Sequence, residues 1–343
     1  MKTLIAIVFF ILLATTYSKP IRFDVERRYL TEDPIAKIHR LAKTMSFNDV
    51  DPITILEATR EIDLTNFKDV QYFAPLYIGQ DLQKMTFIFD TGSEWLWVPL
   101  DSCSNCRAET KYTPAPSFED TGKAHNISYV SGKVEGSIAS DEVRTQLDDP
   151  AVNMRLLAVT SESNIEGTQS DGILGLSPTS SDGSDLLVDK LYKEDIIDSK
   201  QFGVNINRAD QQSTIILGGY DEEIVTGDFV HLSLHNDVDW WVPHTKVMIG
   251  DYPISSKGGL TVFDTGNSVT TFQSSIYYGL LTTIGLANDG NCFFQNYEGD
   301  NYYHCPCPNT AAYKDIEIHM RGYAFSIPPE GYIHQELIDN VNT

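Results

Sequence analysis

The sequence predicts an all-β protein built as two β-rich lobes. Three observations point there. Short apolar or alternating runs follow one another from Leu64 onward, and Gly, Asp, Asn and Pro break them up. One strand-plus-turn motif occurs twice, ending at Asp90 and at Asp264, 174 residues apart. The length of 343 residues suits about two domains.

The N-terminus sets the compartment. Met1-Lys2 precedes an apolar run over 4–14, and small residues Thr16 and Ser18 stand before Lys19. This is the pattern of a secretory signal peptide over 1–18. The run is too short for a bilayer span, and no later stretch is longer. Secretion permits disulfides and makes Asn126-Ile127-Ser128 a glycan acceptor sequence.

Residues 19–62 have a different character from the rest. Up to residue 62 the chain carries 9 bases and 8 acids, whereas 16 bases and 40 acids follow. Ile35, Ile38, Leu41, Ala42 and Met45 recur at helical spacing, with Lys37, Arg40 and Lys43 between them. Such a basic leader before an acidic body reads as a removable segment held by opposite charge, with an ordinary solvated helix as the alternative. The net charge of −23 and pI near 4.5 disfavour nucleic acid and anionic membrane surfaces as partners. At 41% hydrophobic residues the chain is not disordered, and with five cysteines it is not a disulfide-dense miniprotein.

From Leu64 the expected strands include 72–78, 85–89, 156–160, 215–217, 229–234 and 260–263. Helical pattern is confined to 186–194 and 275–284. The first lobe is placed at 63–209 and the second at 210–343. Trp240-Trp241 reads as core.

The repeated motif carries the chemistry. Thr86-Phe87-Ile88-Phe89-Asp90-Thr91-Gly92-Ser93 returns as Leu260-Thr261-Val262-Phe263-Asp264-Thr265-Gly266-Asn267. Each copy is an apolar strand that delivers an Asp into a Gly turn, one per lobe. Two carboxylates brought within a few Å cannot both ionise readily, so they share a proton and titrate as one unit. The ionised member can take a proton from a water, while the protonated one polarises a carbonyl and protonates a leaving nitrogen. That is peptide hydrolysis needing no cofactor and no metal. Thr91 and Thr265 are placed to cross-brace the two turns, and Ser93 to orient one carboxylate.

At these residues the chain resembles the pepsin-like aspartic endopeptidases. The likeness extends to Trp97-Val98-Pro99, to Asp171-Gly172-Ile173-Leu174-Gly175, to Ile216-Leu217-Gly218-Gly219-Tyr220 and to Ser326-Ile327-Pro328-Pro329. It spans about residues 64–336. The resemblance implies a bilobal fold around a central cleft, with Asp90 and Asp264 catalytic and Gly92 and Gly266 at the substrate. It makes the segment from Tyr129 to Gly136 a flap hairpin, with Tyr129 covering the substrate and Trp97 supporting it. It also implies polypeptide substrates, an inhibitory prosegment over 19–62, a monomer, and an extracellular or lysosome-like acidic destination. A Cys103–Cys106 loop disulfide belongs to the family pattern, whereas a zinc site made with Cys305 and Cys307 does not. Cys292 is left to pair with Cys307 or Cys305, and the family spacing to Asp315-Ile316 favours Cys307.

Two departures stand out. Asn267 replaces the usual Ser or Thr, so its amide is the donor available to Asp264. The apolar-apolar-Gly turn lies at Ile173, 83 residues after Asp90, and the same offset from Asp264 runs past Thr343. The second lobe is therefore expected to be incomplete, and a truncated, inactive peptide-binding protein is the alternative to an active zymogen.

Overall fold

A computed structural model describes residues 58–333, except 68–70, 131, 166, 208–210, 226, 228, 288–291, 298–299 and 306–312. The expected signal peptide, the leader up to residue 57 and Cys307 lie outside the described residues.

Ten strands form one sheet: β1 (Arg60–Phe67), β2 (Gln71–Ile78), β3 (Gln83–Asp90), β4 (Leu96–Pro99), β5 (Glu119–Ser128), β6 (Lys133–Arg144), β7 (Val152–Ser163), β8 (Gly172–Gly175), β9 (Phe202–Asn205) and β10 (Ser213–Leu217). Their order is β5-β6-β7-β4-β8-β3-β2-β1-β10-β9. One short helix, α1 (Leu187–Lys193), buries Leu187, Val188 and Leu191. The sheet runs past residue 209 to take in β10, which pairs with β1 from Arg60↔Leu217 to Leu64↔Ser213.

The sequence of β3 explains its central place. Met85, Phe87 and Phe89 alternate onto one face and join the main core, while Ile88 turns the other way into a cluster with Trp97, Leu157 and Ile173. A strand buried on both faces reads as a continuous apolar run, and its end is fixed in space. That end is Asp90. Parallel pairing with β8 places Gly175 opposite Asp90, and the Leu176 N–H donates to the Asp90 carbonyl at 2.7 Å.

The second lobe is built from smaller sheets. They contain β11 (Trp241–His244), β12 (Lys246–Ile249), β13 (Tyr252–Ser255), β14 (Gly259–Val262), β15 (Phe293–Tyr297), β16 (Asp300–His304), β17 (Ile316–Met320) and β18 (Tyr323–Ile327). One helix, α2 (Ser274–Ala287), packs Ile276 and Leu280 onto Val247, Ile249 and Ile316. Strand β14, which ends two residues before Asp264, pairs with β11 alone among the described residues, and Val262 is exposed. Trp240 is core: its indole N–H donates to the Leu176 carbonyl at 2.8 Å and its ring meets Phe202 edge-on.

Two expectations need correction. The run at 229–234 is not a strand. Phe229 instead sets its ring edge-on to Tyr220, and Leu234 packs on the main core, so its apolar residues are half-buried without a ladder. Cys292 pairs with Cys305, not Cys307. Hairpin register decides this: Phe293 faces His304 across β15 and β16, so the residues just outside face each other, with Cα atoms 4.2 Å apart. Cys305→Ser is therefore expected to leave Cys292 open to alkylation in the unreduced protein, whereas Cys307→Ser leaves the bond in place. Intact mass after alkylation reads the difference.

Candidate active site

The two Asp turns meet, and hydrogen bonds between the lobes hold them together. The Thr91 N–H donates to Thr265 Oγ1 at 3.1 Å, and the Thr265 N–H donates to Thr91 Oγ1 at 2.9 Å. Each hydroxyl then passes its own proton to a carbonyl of the opposite strand. Thr91 Oγ1 donates to Phe263 O at 2.8 Å, and Thr265 Oγ1 donates to Phe89 O. The pattern is reciprocal, as a duplicated motif with a local twofold requires. It pins the ends of β3 and β14, so the carboxyl groups that follow are also brought together.

Asp90 and Asp264 each lie against the glycine of the opposite turn, close enough for their charges to interact. A Cβ added to Gly92 would stand 2.6 Å from Asp264 Oδ2, and one added to Gly266 would strike Asp90. Glycine at both positions is therefore what lets each carboxylate approach the opposite turn. Asp90 is buried, and its Oδ1 accepts the Gly92 N–H at 2.9 Å while its Oδ2 accepts the Ser93 hydroxyl. Burial, and then the charge of Asp264, push the Asp90 carboxyl up to about 7.

The second turn is not an exact copy. Asp264 is half-buried and its Oδ1 accepts the Gly266 N–H at 2.9 Å. The Asn267 backbone N–H reaches the Asp264 carbonyl at 3.4 Å, but its side chain is exposed and makes no hydrogen bond to the carboxylate. The expected amide donor is thus absent: the longer side chain projects outward where Ser93 folds back.

Over the first turn lies the hairpin of β5 and β6. At its tip the Tyr129 N–H donates to the Gly132 carbonyl at 2.7 Å. The Trp97 indole N–H, on β4, donates to the Tyr129 hydroxyl at 2.9 Å. Burial and the nearby Asp90 charge push the Tyr129 phenol above its ordinary range. Asn126 sits on β5, exposed. Cys103 and Cys106 are bonded in the loop after β4.

One contributor is not evident from motif reading. The Asp171 carboxylate accepts the Thr86 N–H and hydroxyl, both at 2.8 Å, and the Thr110 N–H at 2.7 Å. It ties β8 to β3 at the end opposite Asp90 and holds the disulfide loop as well. The sequence marks Asp171 as the first residue of a matched motif, but not the long-range contacts of its carboxylate. Among the described residues no group of three or more His, Cys, Asp or Glu side chains could hold a metal, and no helix is long and apolar enough to cross a membrane.

A family model described as eukaryotic aspartyl protease matches residues 71–342. The chain belongs to the eukaryotic aspartyl protease family. Vacuolar protease A of Neurospora crassa is 27% identical over 281 residues, covering 79% of this chain and 68% of that protein. Embryonic pepsinogen of Gallus gallus is 28% identical, covering 79% and 71%. Pepsin A of Suncus murinus is 26% identical over 330 residues, covering 94% and 82%. Membership of this family, with relatives named vacuolar protease A and pepsin, makes the chain an aspartic-type endopeptidase by kind.

Proposed function

We propose that the protein is the zymogen of an acid endopeptidase in which Asp90 and Asp264 activate a water between them. The observation that supports this most is the meeting of the two Asp turns, cross-braced by Thr91 and Thr265, with the buried Asp90 raised in proton affinity. With Asp90 holding its proton up to about pH 7, the pair keeps one proton throughout the acid range. The ionised carboxylate removes a proton from the water as it attacks the peptide carbonyl. The protonated one polarises that carbonyl and then delivers its proton to the leaving nitrogen. Gly92 and Gly266 leave the floor open to an extended peptide, and Tyr129 closes over it with Trp97 behind. Substrates are polypeptides, and the working compartment is acidic, outside the cell or in a lysosome-like or vacuolar organelle.

Residues 1–18 act as the signal peptide and 19–62 as a prosegment, leaving lobes at 63–209 and 210–343. Arg60–Ile62 pair with Leu217–Ile215 at the start of β1, so the last prosegment residues are already part of the sheet of the body. A cut after residue 62 leaves Asp63 and Leu64 to hold that edge. The leader's bases lose their electrostatic hold as the acidic body takes up protons. A second reading, binding of peptide without turnover, draws support from β14 having β11 as its one neighbour among the described residues and from the exposed Asn267 side chain.

One preparation tests both. Full-length secreted protein, shifted from pH 7 to pH 4, is expected to shorten near residue 62, to cleave a denatured protein substrate, and to lose that activity as pH rises through about 7. Endoglycosidase treatment is expected to lower its mass unless Asn126 is replaced by Gln. Binding of a statine-type transition-state analogue without any cleavage would favour the second reading; neither binding nor cleavage at any pH would overturn the first and leave the second without support.

A further inference from the structure

A cluster beside the catalytic turn is used by none of the chemistry above. Trp95, two residues past Ser93, is buried at 3% exposure, and its indole N–H donates to Asp182 Oδ2 at 2.7 Å. The same oxygen lies 3.5 Å from His125 Nε2. The His125 and Trp95 rings are themselves in contact, with centroids 4.7 Å apart. Asp182 belongs to the loop between β8 and α1, and that loop is tied back to the turn a second time. Glu94 accepts the Ser181 N–H at 2.8 Å and the Ser181 hydroxyl.

The position of His125 gives the cluster its meaning. It lies on β5, four residues before Tyr129, and β5 is an edge strand whose ladder runs only to β6. The outer strand of a hairpin held on one side tends to swing. Ile127 and Tyr129 pack inward near its tip. Nearer its base, His125 meets Trp95, which continues the segment that carries Asp90 and Ser93. The Trp95 carbonyl in turn accepts the Gly175 N–H at 2.9 Å, behind the catalytic strand.

We infer that Asp182, by holding the Trp95 indole against the His125 ring, acts as a clasp that fastens the outer flap strand to the catalytic turn and sets how tightly the hairpin closes over a bound peptide. This rests on the reading of the Tyr129 hairpin as the substrate cover. The ion pair by itself, partly exposed, contributes little. The indole N–H is different: it is buried, and without Asp182 it has no acceptor, a loss that releases the cluster rather than one contact. Asp182, Trp95 and His125 are positioning residues, since none of them touches the reacting atoms.

Three variants separate the parts. Asp182→Ala removes both contacts. Asp182→Asn keeps an acceptor for Trp95 and removes the charge facing His125. His125→Phe keeps a ring on Trp95 and removes the imidazole nitrogen. Hydrogen exchange across 119–140, measured without substrate, is expected to quicken about tenfold in Asp182→Ala, and much less in the other two. On a peptide substrate, Asp182→Ala is expected to raise KM about fivefold with kcat within about twofold of the parent. Exchange over 119–140 that does not change, or that rises equally through the whole chain, overturns the clasp. So does a fall in kcat at constant KM. The exchange arm needs no turnover, so a parent protein that cleaves nothing counts against the proposed function and leaves the clasp to be decided by exchange.

Discussion

Replacing Asp90 by Asn is expected to abolish peptide cleavage and, at the same time, to stabilise the folded chain at neutral pH. The first effect follows from removing one member of an acid–base pair; loss of about 10³-fold in kcat is the scale for such a group. The second is less obvious and follows from burial. Desolvation, then the Asp264 charge, raise the Asp90 carboxyl from 3.8 to about 7. The folded chain therefore holds a proton that the unfolded chain has released, which favours folding fully below about pH 4. That contribution is lost as pH rises through 7, where the fold must carry a buried charge beside another. Asn has no proton to lose. The variant and the parent should melt together near pH 3, and the variant should melt later at pH 7, by at most about 4 kcal/mol of stability. Thermal melting of both proteins at the two pH values reads it. A variant that melts earlier than the parent at pH 7 but together with it at pH 3 would mean that the Asp90 carboxylate is held by its Ser93 and Gly92 donors more strongly than burial opposes it.

Which parts of this molecule were legible from sequence follows a physical division. Strand β3 was legible because both faces of its second half are buried and Met85, Phe87, Ile88 and Phe89 are apolar. The hairpin's outer strand β5 was not, because most of its residues are exposed and give no alternation. The meeting of Asp90 and Asp264 was foreseeable from a duplicated motif, since equivalent strands place equivalent turns at a local twofold. The unequal surroundings of the pair were only half foreseeable. That Asn267 differs from Ser93 is visible in the letters; that its side chain turns away from Asp264 is a matter of geometry.

Long-range polar contacts were the least legible. Asp182 is 87 residues from Trp95, and Asp171 is 85 from Thr86, so no local pattern links them. The Cys292–Cys305 bond failed for a related reason. Family spacing pointed to Cys307, but the choice rests on hairpin register, which is set by the pairing of Phe293 with His304. Strand 229–234 failed because an apolar run reports burial, and burial does not require a ladder.

The cross-brace between the turns carries the other large expected effect. Thr265→Val preserves shape but deletes the oxygen that accepts the Thr91 N–H and donates to the Phe89 carbonyl. Thr91 is 2% exposed and Phe89 3%, so water cannot replace the lost partner. Two buried groups left unpaired cost about 1–3 kcal/mol each, and about 2–4 kcal/mol together is expected. Thr91→Val strands the Thr265 N–H and the Phe263 carbonyl instead. Both of those residues are half-buried, so water can reach them in part and the cost should be smaller. The denaturation midpoint should therefore fall further for Thr265→Val, with an unchanged slope. Activity should respond in a different order. Either deletion frees the two strand ends to drift, and a displacement near 1 Å between carboxylates costs about 10²-fold in rate. Both variants are thus expected to lose kcat to a similar degree although they differ in stability. Equal stability with unequal kcat would instead mean that the hydroxyls act on the dyad one at a time, not as a reciprocal brace.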